Sequence, residues 1–228
     1  VGPMVVGHHK GEVLGACTDC RRVWGKYRAG AIDDVEIEAV NGRLAPSVGT
    51  CMVMGTASTM ACVTEALGLS LPMSATIPAP HAERFRSAEA SGRVAAEMAK
   101  KKGPKPSELL TAKSFRNAQV VLQAIGGSTN GLIHLTAIAG RTKHRIDLEA
   151  FDKLGHEVPV LIDLKPSGDH YMEHFHHAGG VPKLMAQLGD LIDLDQKTVT
   201  GQTLREVVAD AEEVPGQDVI RPRGKPIK

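Results

Sequence analysis

Apolar residues recur at helical spacing along most of the chain, and polar caps and glycines mark where the helices begin and end. The caps are clearest at Thr111, which precedes one apolar-periodic segment, and at Ser128 or Thr129, which precede the next. The predicted helices cover 18–30, a short segment from 33 that stops at Asn41-Gly42, 50–67, 80–101, 111–125, 128–141, 147–155, two short segments around Gly179-Gly180 and one more after Thr200.

The strongest strand signal is the run VPVLIDL at 158–164, because a continuous apolar run of this length is typical of a strand buried on both faces. Residues 1–20 are predicted as strand and loop. Few strands among many helices predict an α/β fold, a helix-rich layered domain with a small buried sheet.

Composition narrows the class of protein. Of 228 residues, 42% are hydrophobic but only 3% are aromatic, so the core must be built from aliphatic side chains and methionine. The formal net charge of +1 gives no sign of a nucleic-acid or membrane partner. No run of apolar residues is long enough for a membrane span. Four cysteines in a chain of this length indicate reduced thiols, a metal site or redox chemistry, and therefore the cytoplasm or an organelle matrix.

The stretch PSVGTCMVMGTASTMAC at 46–62 has two cysteines separated by small, uncharged residues. Such a surface fits either a tightly packed core helix or a helix lying against a large prosthetic group. Cys51 is placed in the first turn of the predicted helix, where free N–H groups favour a thiolate. Cys62, in mid-helix, is predicted to be buried packing. The two are about 16 Å apart along such a helix, so one metal ion cannot bridge them.

Three other motifs have chemical alternatives. Cys17 and Cys20 form a CxxC pair, which is half of a zinc site or a redox pair, yet no second pair with matching spacing exists. His170 and His174 have the i, i+4 spacing of a metal-binding face, but a non-ligand role is the simpler interpretation of this His-rich segment. GGSTNG at 126–131 is either a capped helix break or an anion site built from N-terminal amides.

Three long motifs, PSVGTCMVMGTASTMACVTEALGLSLP, AIGGSTNGLIHLTAIAGR and VPVLIDLKPSGDHYMEHFHHAGGVPKLMAQLGDL, occur in the order seen in the dihydroxy-acid dehydratase / phosphogluconate dehydratase family. The chain resembles this family from Gly2 to Pro226. The sequence around Cys51 is more similar to that of the sugar-acid branch, such as arabonate or xylonate dehydratases. The branched-chain branch has a GMFTAN-like continuation there. Met73 stands where the family has a glycine.

The resemblance implies a hydro-lyase that converts a 2,3-dihydroxy acid, here a sugar acid (aldonate), to a 2-keto-3-deoxy acid. It implies an iron–sulfur cluster, 2Fe–2S in preference to 4Fe–4S, whose open iron acts as a Lewis acid, and a nearby Mg²⁺. Cys51 matches the third cluster cysteine of the family. Ser128, Thr129 and Asn130 are expected to line the cluster or substrate cavity. The whole protein is expected to be a homo-oligomer.

The other parts of the family's active site have no counterpart in this sequence. The family's first two cluster cysteines, its magnesium-binding Asp and its modified Lys belong to upstream motifs, and its serine base belongs to a C-terminal domain. We therefore expect residues 1–218 to be the latter part of the N-terminal domain and 219–228 to begin the linker or next domain, with the chain alone inactive. Two alternatives stay open: a branched-chain dihydroxy-acid dehydratase, and a non-catalytic zinc- or cluster-binding module centred on Cys17 and Cys20.

Overall fold

A computed structural model describes residues 2–211 and 213–228. A two-stranded antiparallel sheet, β1 (Gly7–His9) and β2 (Glu12–Leu14), comes first, and helices form most of the rest. The helices are α1 (Ala16–Arg28), α2 (Asp34–Leu44), α3 (Thr56–Ala66), α4 (Ala82–Lys101), α5 (Pro106–Leu109), α6 (Ala112–Ala124), α7 (Thr129–Gly140), α8 (Leu148–Gly155), α9 (Met172–His177), α10 (Gly180–Leu188) and α11 (Leu204–Ala209), with a 3₁₀ turn at Gly189–Leu191. The predicted helix-rich α/β class is confirmed.

The main core forms where α3, α6, α9 and α10 surround the extended segment 158–164. Val121, Leu161, Phe175 and Leu184 are fully buried there, together with Cys62, as predicted for that thiol. A second, smaller core lies between the β-hairpin, α1 and α2. Within the described residues, no helix is both long enough and apolar enough to cross a bilayer.

The caps predicted from sequence are present. The Thr111 hydroxyl accepts a hydrogen bond from the Ser114 N–H at 3.1 Å and begins α6. The Ser128 hydroxyl accepts from the Asn130 N–H and begins α7. Such contacts are made within one turn of the chain, which is why sequence alone identifies them.

Two predictions away from the Cys51 loop are wrong. Helix α2 continues through Asn41-Gly42 to Leu44, because Val40 and Leu44 both pack into the core of the hairpin unit. The segment 158–164 is mostly buried, but within the described residues it forms single bridges, such as Ile162 with Ile220, and no strand. Pro222 and Pro226 interrupt the neighbouring segment and have no N–H to donate, so a continuous ladder does not form.

Met73 has a left-handed backbone, with φ at 67°. This conformation is unfavourable for a residue with a side chain, and it is consistent with the glycine expected at this position. The turn is held by the buried Glu65 carboxylate, which accepts hydrogen bonds from the Met73 N–H at 2.8 Å and the Ala75 N–H at 2.9 Å.

Candidate functional site

Cys51 lies in a loop and not in a helix, so the prediction that a helix begins at Thr50 is wrong. Helix α3 begins only at Thr56, because the backbone of the preceding loop bonds to distant parts of the chain. The Met54 N–H donates to the Lys165 carbonyl, and the Met52 carbonyl accepts from the Met172 N–H, both at 2.8 Å. These tertiary hydrogen bonds fix the loop beside Cys51.

The first residues of the chain close the other side of the loop. The Met4 N–H donates to the Thr50 carbonyl at 2.8 Å, and the Thr50 N–H donates to the Gly2 carbonyl at 2.9 Å. This approach requires Gly49, since its φ is 136° and a Cβ there would lie 2.6 Å from the Met4 nitrogen. The loop that carries Cys51 is therefore held from three directions.

The Cys51 thiol is half-buried, and the Cys17 thiol is close enough to affect its protonation. Burial raises the pKa of the Cys51 thiol and the neighbouring Cys17 raises it further, while a hydrogen bond from the Val53 backbone lowers it. The prediction of a thiolate favoured by a helix N-terminus is thus wrong for the free thiol, because the first turn of α3 lies five residues further on.

A buried carboxylate stands behind these thiols. Asp19 accepts hydrogen bonds from the Tyr171 hydroxyl at 2.7 Å and the Gly15 N–H at 2.8 Å, and its other oxygen lies 3.7 Å from Lys165 Nζ. Burial alone would raise the pKa of Asp19, but the Tyr171 hydroxyl, the Gly15 N–H and the Lys165 charge together lower it. Asp19 is therefore an ionised residue that orients Tyr171.

Gly15 makes room for this arrangement, since a Cβ at that position would lie 2.1 Å from the Tyr171 ring. Tyr171 packs with Met52 and Val53, the two buried residues that follow Cys51. From the sequence, Cys17 and Cys20 could in principle join Cys51, but neither Asp19 nor Tyr171 was expected near it. The one local signal for this site was the position of Cys17 at a predicted helix start. The residues that it meets there, such as Cys51 and Tyr171, are far away in the sequence.

The junction at 126–131 packs against α3. The Ser128 N–H donates to Thr59 Oγ1 at 3.0 Å, and Ser128 Oγ lies 3.0 Å from Thr56 Oγ1. Asn130 Nδ2 donates to the same Thr56 oxygen at 3.1 Å. The small side chains of α3 therefore have α6 and α7 as neighbours, which explains why this stretch is small and uncharged.

Ser128 and Asn130 are thus joined to each other through Thr56, and Thr129 is exposed. The hydrogen bonds of these side chains, within the described residues, lead to α3 and not to Cys51. Their predicted place in a cluster or substrate cavity stays a prediction.

His170 and His174 lie side by side, with ring centroids 5.6 Å apart, but each ring has another partner. His170 Nε2 lies 3.3 Å from Asp218, and His174 Nδ1 accepts from the Tyr171 N–H. Across the described residues, the one group that brings three potential ligand atoms together is His81, Glu83 and His176.

The residues around Cys51 fit part of an iron–sulfur site. A half-buried sulfur with a second thiol beside it and a backbone N–H donor suits a cluster ligand, since such donors tune cluster sulfurs. They do not fit Mg²⁺, which prefers free carboxylate oxygens. The carboxylate of Asp19, two residues after Cys17, is already bonded to Tyr171, Gly15 and Arg22.

Comparison with known proteins identifies relatives over nearly the whole chain. Residues 1–207 match the sequence model of the family described as dihydroxy-acid/6-phosphogluconate dehydratase N-terminal. The chain is 42% identical to a dihydroxy-acid dehydratase of Rippkaea orientalis, 41% to one of Synechocystis sp. and 43% to one of Chloroflexus aggregans, each over 230 residues. These alignments cover 99% of this chain but 40–41% of each relative. The chain therefore spans about two fifths of the length of these curated relatives.

Proposed function

Since the chain belongs to the dihydroxy-acid/6-phosphogluconate dehydratase family as an N-terminal part, we propose that the whole protein is a hydro-lyase acting on a 2,3-dihydroxy acid. The product would be the 2-keto acid that forms when water is lost. The observation that carries the proposal within this chain is the Cys51 thiol, held in a fixed loop beside Cys17 and a backbone N–H donor.

The substrate is proposed to be a branched-chain dihydroxy acid, because the similar curated proteins are named dihydroxy-acid dehydratase. A branched-chain dihydroxy acid, the alternative expected from the sequence, is therefore favoured over a sugar acid, which was the first expectation. The sugar acid stays a second candidate for one reason. Cys51 is followed by Met52 and Val53, which are buried against Tyr171, where the branched-chain branch is expected to have a GMFTAN-like sequence.

In the proposed mechanism, Cys51 is a cluster ligand whose sulfur accepts the hydrogen bond from the Val53 backbone. When bound, the cluster would supply a Lewis-acidic iron for the departing hydroxyl. Burial raises the pKa of the Cys51 thiol, so the thiol must lose its proton as iron binds, and loading should improve with rising pH. Met52 and Val53 exclude water behind the sulfur, and Asp19 holds the Tyr171 ring against them.

The alternative of a zinc module centred on Cys17 and Cys20 has less support. Cys20 packs against the apolar core of the hairpin unit, whereas Cys17 is exposed and close to Cys51. Among the residues described, no group of three potential metal ligands includes a cysteine. The two sulfurs of the CxxC pair therefore lie in different surroundings, which is unfavourable for a shared zinc ion.

The proposal for the whole protein includes Mg²⁺, a 2Fe–2S cluster, a homo-oligomer in the cytoplasm, and a domain boundary near Val219. These rest on the family resemblance and on the reduced thiols. The interactions of the described residues do not identify a magnesium ligand, a subunit interface or a domain boundary. No step of the mechanism therefore uses these features.

The test is an assay of the anaerobically purified whole protein with iron and sulfide reconstituted and Mg²⁺ added. Branched-chain 2,3-dihydroxy acids and a panel of aldonates are supplied separately, and 2-keto acid is measured. We expect a higher kcat/KM for the branched-chain acids. A higher kcat/KM for an aldonate would select the second candidate, and no turnover of either class by cluster-loaded protein would overturn the proposal.

A further inference from the structure

Three side chains with metal-ligating atoms meet at the beginning of α4, away from the residues used in the proposed mechanism. His81 is the N-cap of α4, Glu83 lies in its first turn, and His176 comes from α9. One ligand atom from each lies within 4.8 Å of the other two. His176 Nε2 and the nearer Glu83 oxygen are only 3.1 Å apart.

These distances are close to those of a metal site. Bonds of about 2.0–2.1 Å in a tetrahedral zinc site place neighbouring ligand atoms about 3.3 Å apart. The His176–Glu83 pair already has this separation. The third ligand atom, from His81, would have to move by at most about 1.5 Å, by the same tetrahedral geometry. The His81 side chain is 30% exposed, so it has room to rotate.

The environment of His176 prepares its ring for this role. The ring is buried, and its Nδ1 lies 3.1 Å from Thr76 Oγ1, which is itself 3.3 Å from the Met73 carbonyl. When the Thr76 hydroxyl donates to that carbonyl, it accepts from Nδ1–H, and the lone pair of His176 is then on Nε2. In this tautomer the lone pair faces the Glu83 carboxylate and can bind a cation. In the other tautomer Nε2–H donates to Glu83, and a metal ion would replace that proton.

The surroundings favour a positive ion. His176 and Glu83 line a cavity of about 460 Å³, together with His177 and Asp210. None of the described residues that line it is a lysine or an arginine. The Glu173 carboxylate lies 4.0 Å from His81 Nε2 and adds negative charge on the other side.

We propose that His81, Glu83 and His176 bind a divalent transition-metal ion of the zinc class, with a fourth coordination position open to the cavity. Two imidazoles and one carboxylate suit zinc and its neighbours in the first row, whereas Mg²⁺ favours oxygen ligands. Bound metal would fix the start of α4 to α9. The open position would be occupied by water or by an oxygen or nitrogen atom of a small anionic ligand.

The test uses Co²⁺ as a coloured substitute for zinc, titrated into the full chain, followed by competition with Zn²⁺. Cobalt held by two imidazoles and a carboxylate gives visible d–d bands without the ultraviolet charge-transfer band of thiolate ligands. This difference separates the proposed site from binding to Cys17 and Cys51. We expect one equivalent of Co²⁺ with this spectrum, displaced by Zn²⁺.

Substitutions of the ligands locate the site. Glu83→Gln keeps the shape of a half-exposed side chain, and His176→Ala removes the buried ligand. Each should weaken Co²⁺ binding by at least about 100-fold. Thr76→Val, which removes only the hydrogen bond to His176, should weaken it about 10–100-fold. His134→Ala, which removes an exposed histidine on α7, is the matched control and should bind as wild type does.

If His176→Ala does not fold, Glu83→Gln decides the question, because Glu83 is partly exposed and its replacement is nearly isosteric. Unchanged Co²⁺ affinity in folded Glu83→Gln would overturn the proposal. So would a spectrum in the wild type that contains only the thiolate charge-transfer band.

Discussion

Gly131 is the position where α7 packs most closely on α3, and it offers a sharp test of that packing. A Cβ at Gly131 would lie 2.7 Å from Thr59 Cγ2 and 3.0 Å from Leu122 Cδ1. Both neighbours are buried, so neither can move away into solvent. Gly131→Ala should therefore destabilise the chain by clash.

The magnitude follows from two opposing effects. Overpacking a well-filled core costs about 1–3 kcal/mol. Alanine in a helix is about 1 kcal/mol more favourable than glycine, which offsets part of this. A Cβ only 2.7 Å from a buried atom belongs to the upper part of that range, about 2–3 kcal/mol, so we expect a net loss of about 1–2 kcal/mol in the free energy of unfolding. Gly92→Ala, in the exposed interior of α4, has no atom within 4 Å of the new Cβ and should be neutral or stabilising by up to about 1 kcal/mol.

A double-mutant cycle isolates the contact. Thr59→Ser removes the Cγ2 methyl but keeps the hydroxyl that accepts from the Ser128 N–H. Gly131→Ala should therefore cost at least about 0.5 kcal/mol less in the Thr59→Ser background, as expected for residues in contact. Urea denaturation followed by circular dichroism measures all four proteins. A Gly131→Ala variant as stable as wild type, or a cycle with no coupling, would refute the packing of α7 on α3.

Three further predictions concern single residues. Met73→Gly should raise the free energy of unfolding by up to about 1 kcal/mol, because it relieves a left-handed backbone, and a lower value would contradict this. Burial raises the pKa of Glu65 to about 7, so its folded carboxyl holds a proton that the unfolded chain releases above about pH 4.3. The stabilisation that comes from this bound proton is complete below that pH and is lost as the pH rises to about 7, and it is at most about 4 kcal/mol. Urea titrations of wild type and Glu65→Gln should therefore diverge with pH, and parallel curves would contradict the buried carboxyl. Asn130→Ala removes an exposed hydrogen bond to Thr56, so it should cost about 1 kcal/mol or less in stability but lower the turnover of the whole protein several-fold. Unchanged turnover would leave the junction around Ser128 as a helix cap alone.

The helices could be predicted because their signals are local. Thr111 and Ser128 cap their own first turns, and the apolar periodicity of α4, α6 and α8 is visible within each segment. The fold class followed from the same signals, together with the buried run at 158–164.

The surroundings of the candidate site could not be predicted, because they depend on contacts between residues far apart in sequence. Cys17 is 34 positions before Cys51, and Lys165 and Met172 hold its loop from more than 100 positions away. These hydrogen bonds outcompete the helical propensity of 50–55, which is why the predicted start of α3 is wrong. His81 and His176 are likewise brought together only by the fold.

The central claim, that Cys51 is a cluster ligand, is tested most directly by iron and acid-labile sulfide analysis of the whole protein after anaerobic purification. Wild type should contain both, and Cys51→Ser should lose both because an alcohol oxygen is a poor substitute for a soft thiolate. Cys62→Ala, which replaces a fully buried thiol, should keep the cluster while losing about 1–3 kcal/mol of stability or less. Iron and sulfide retained at wild-type levels in folded Cys51→Ser would contradict the account.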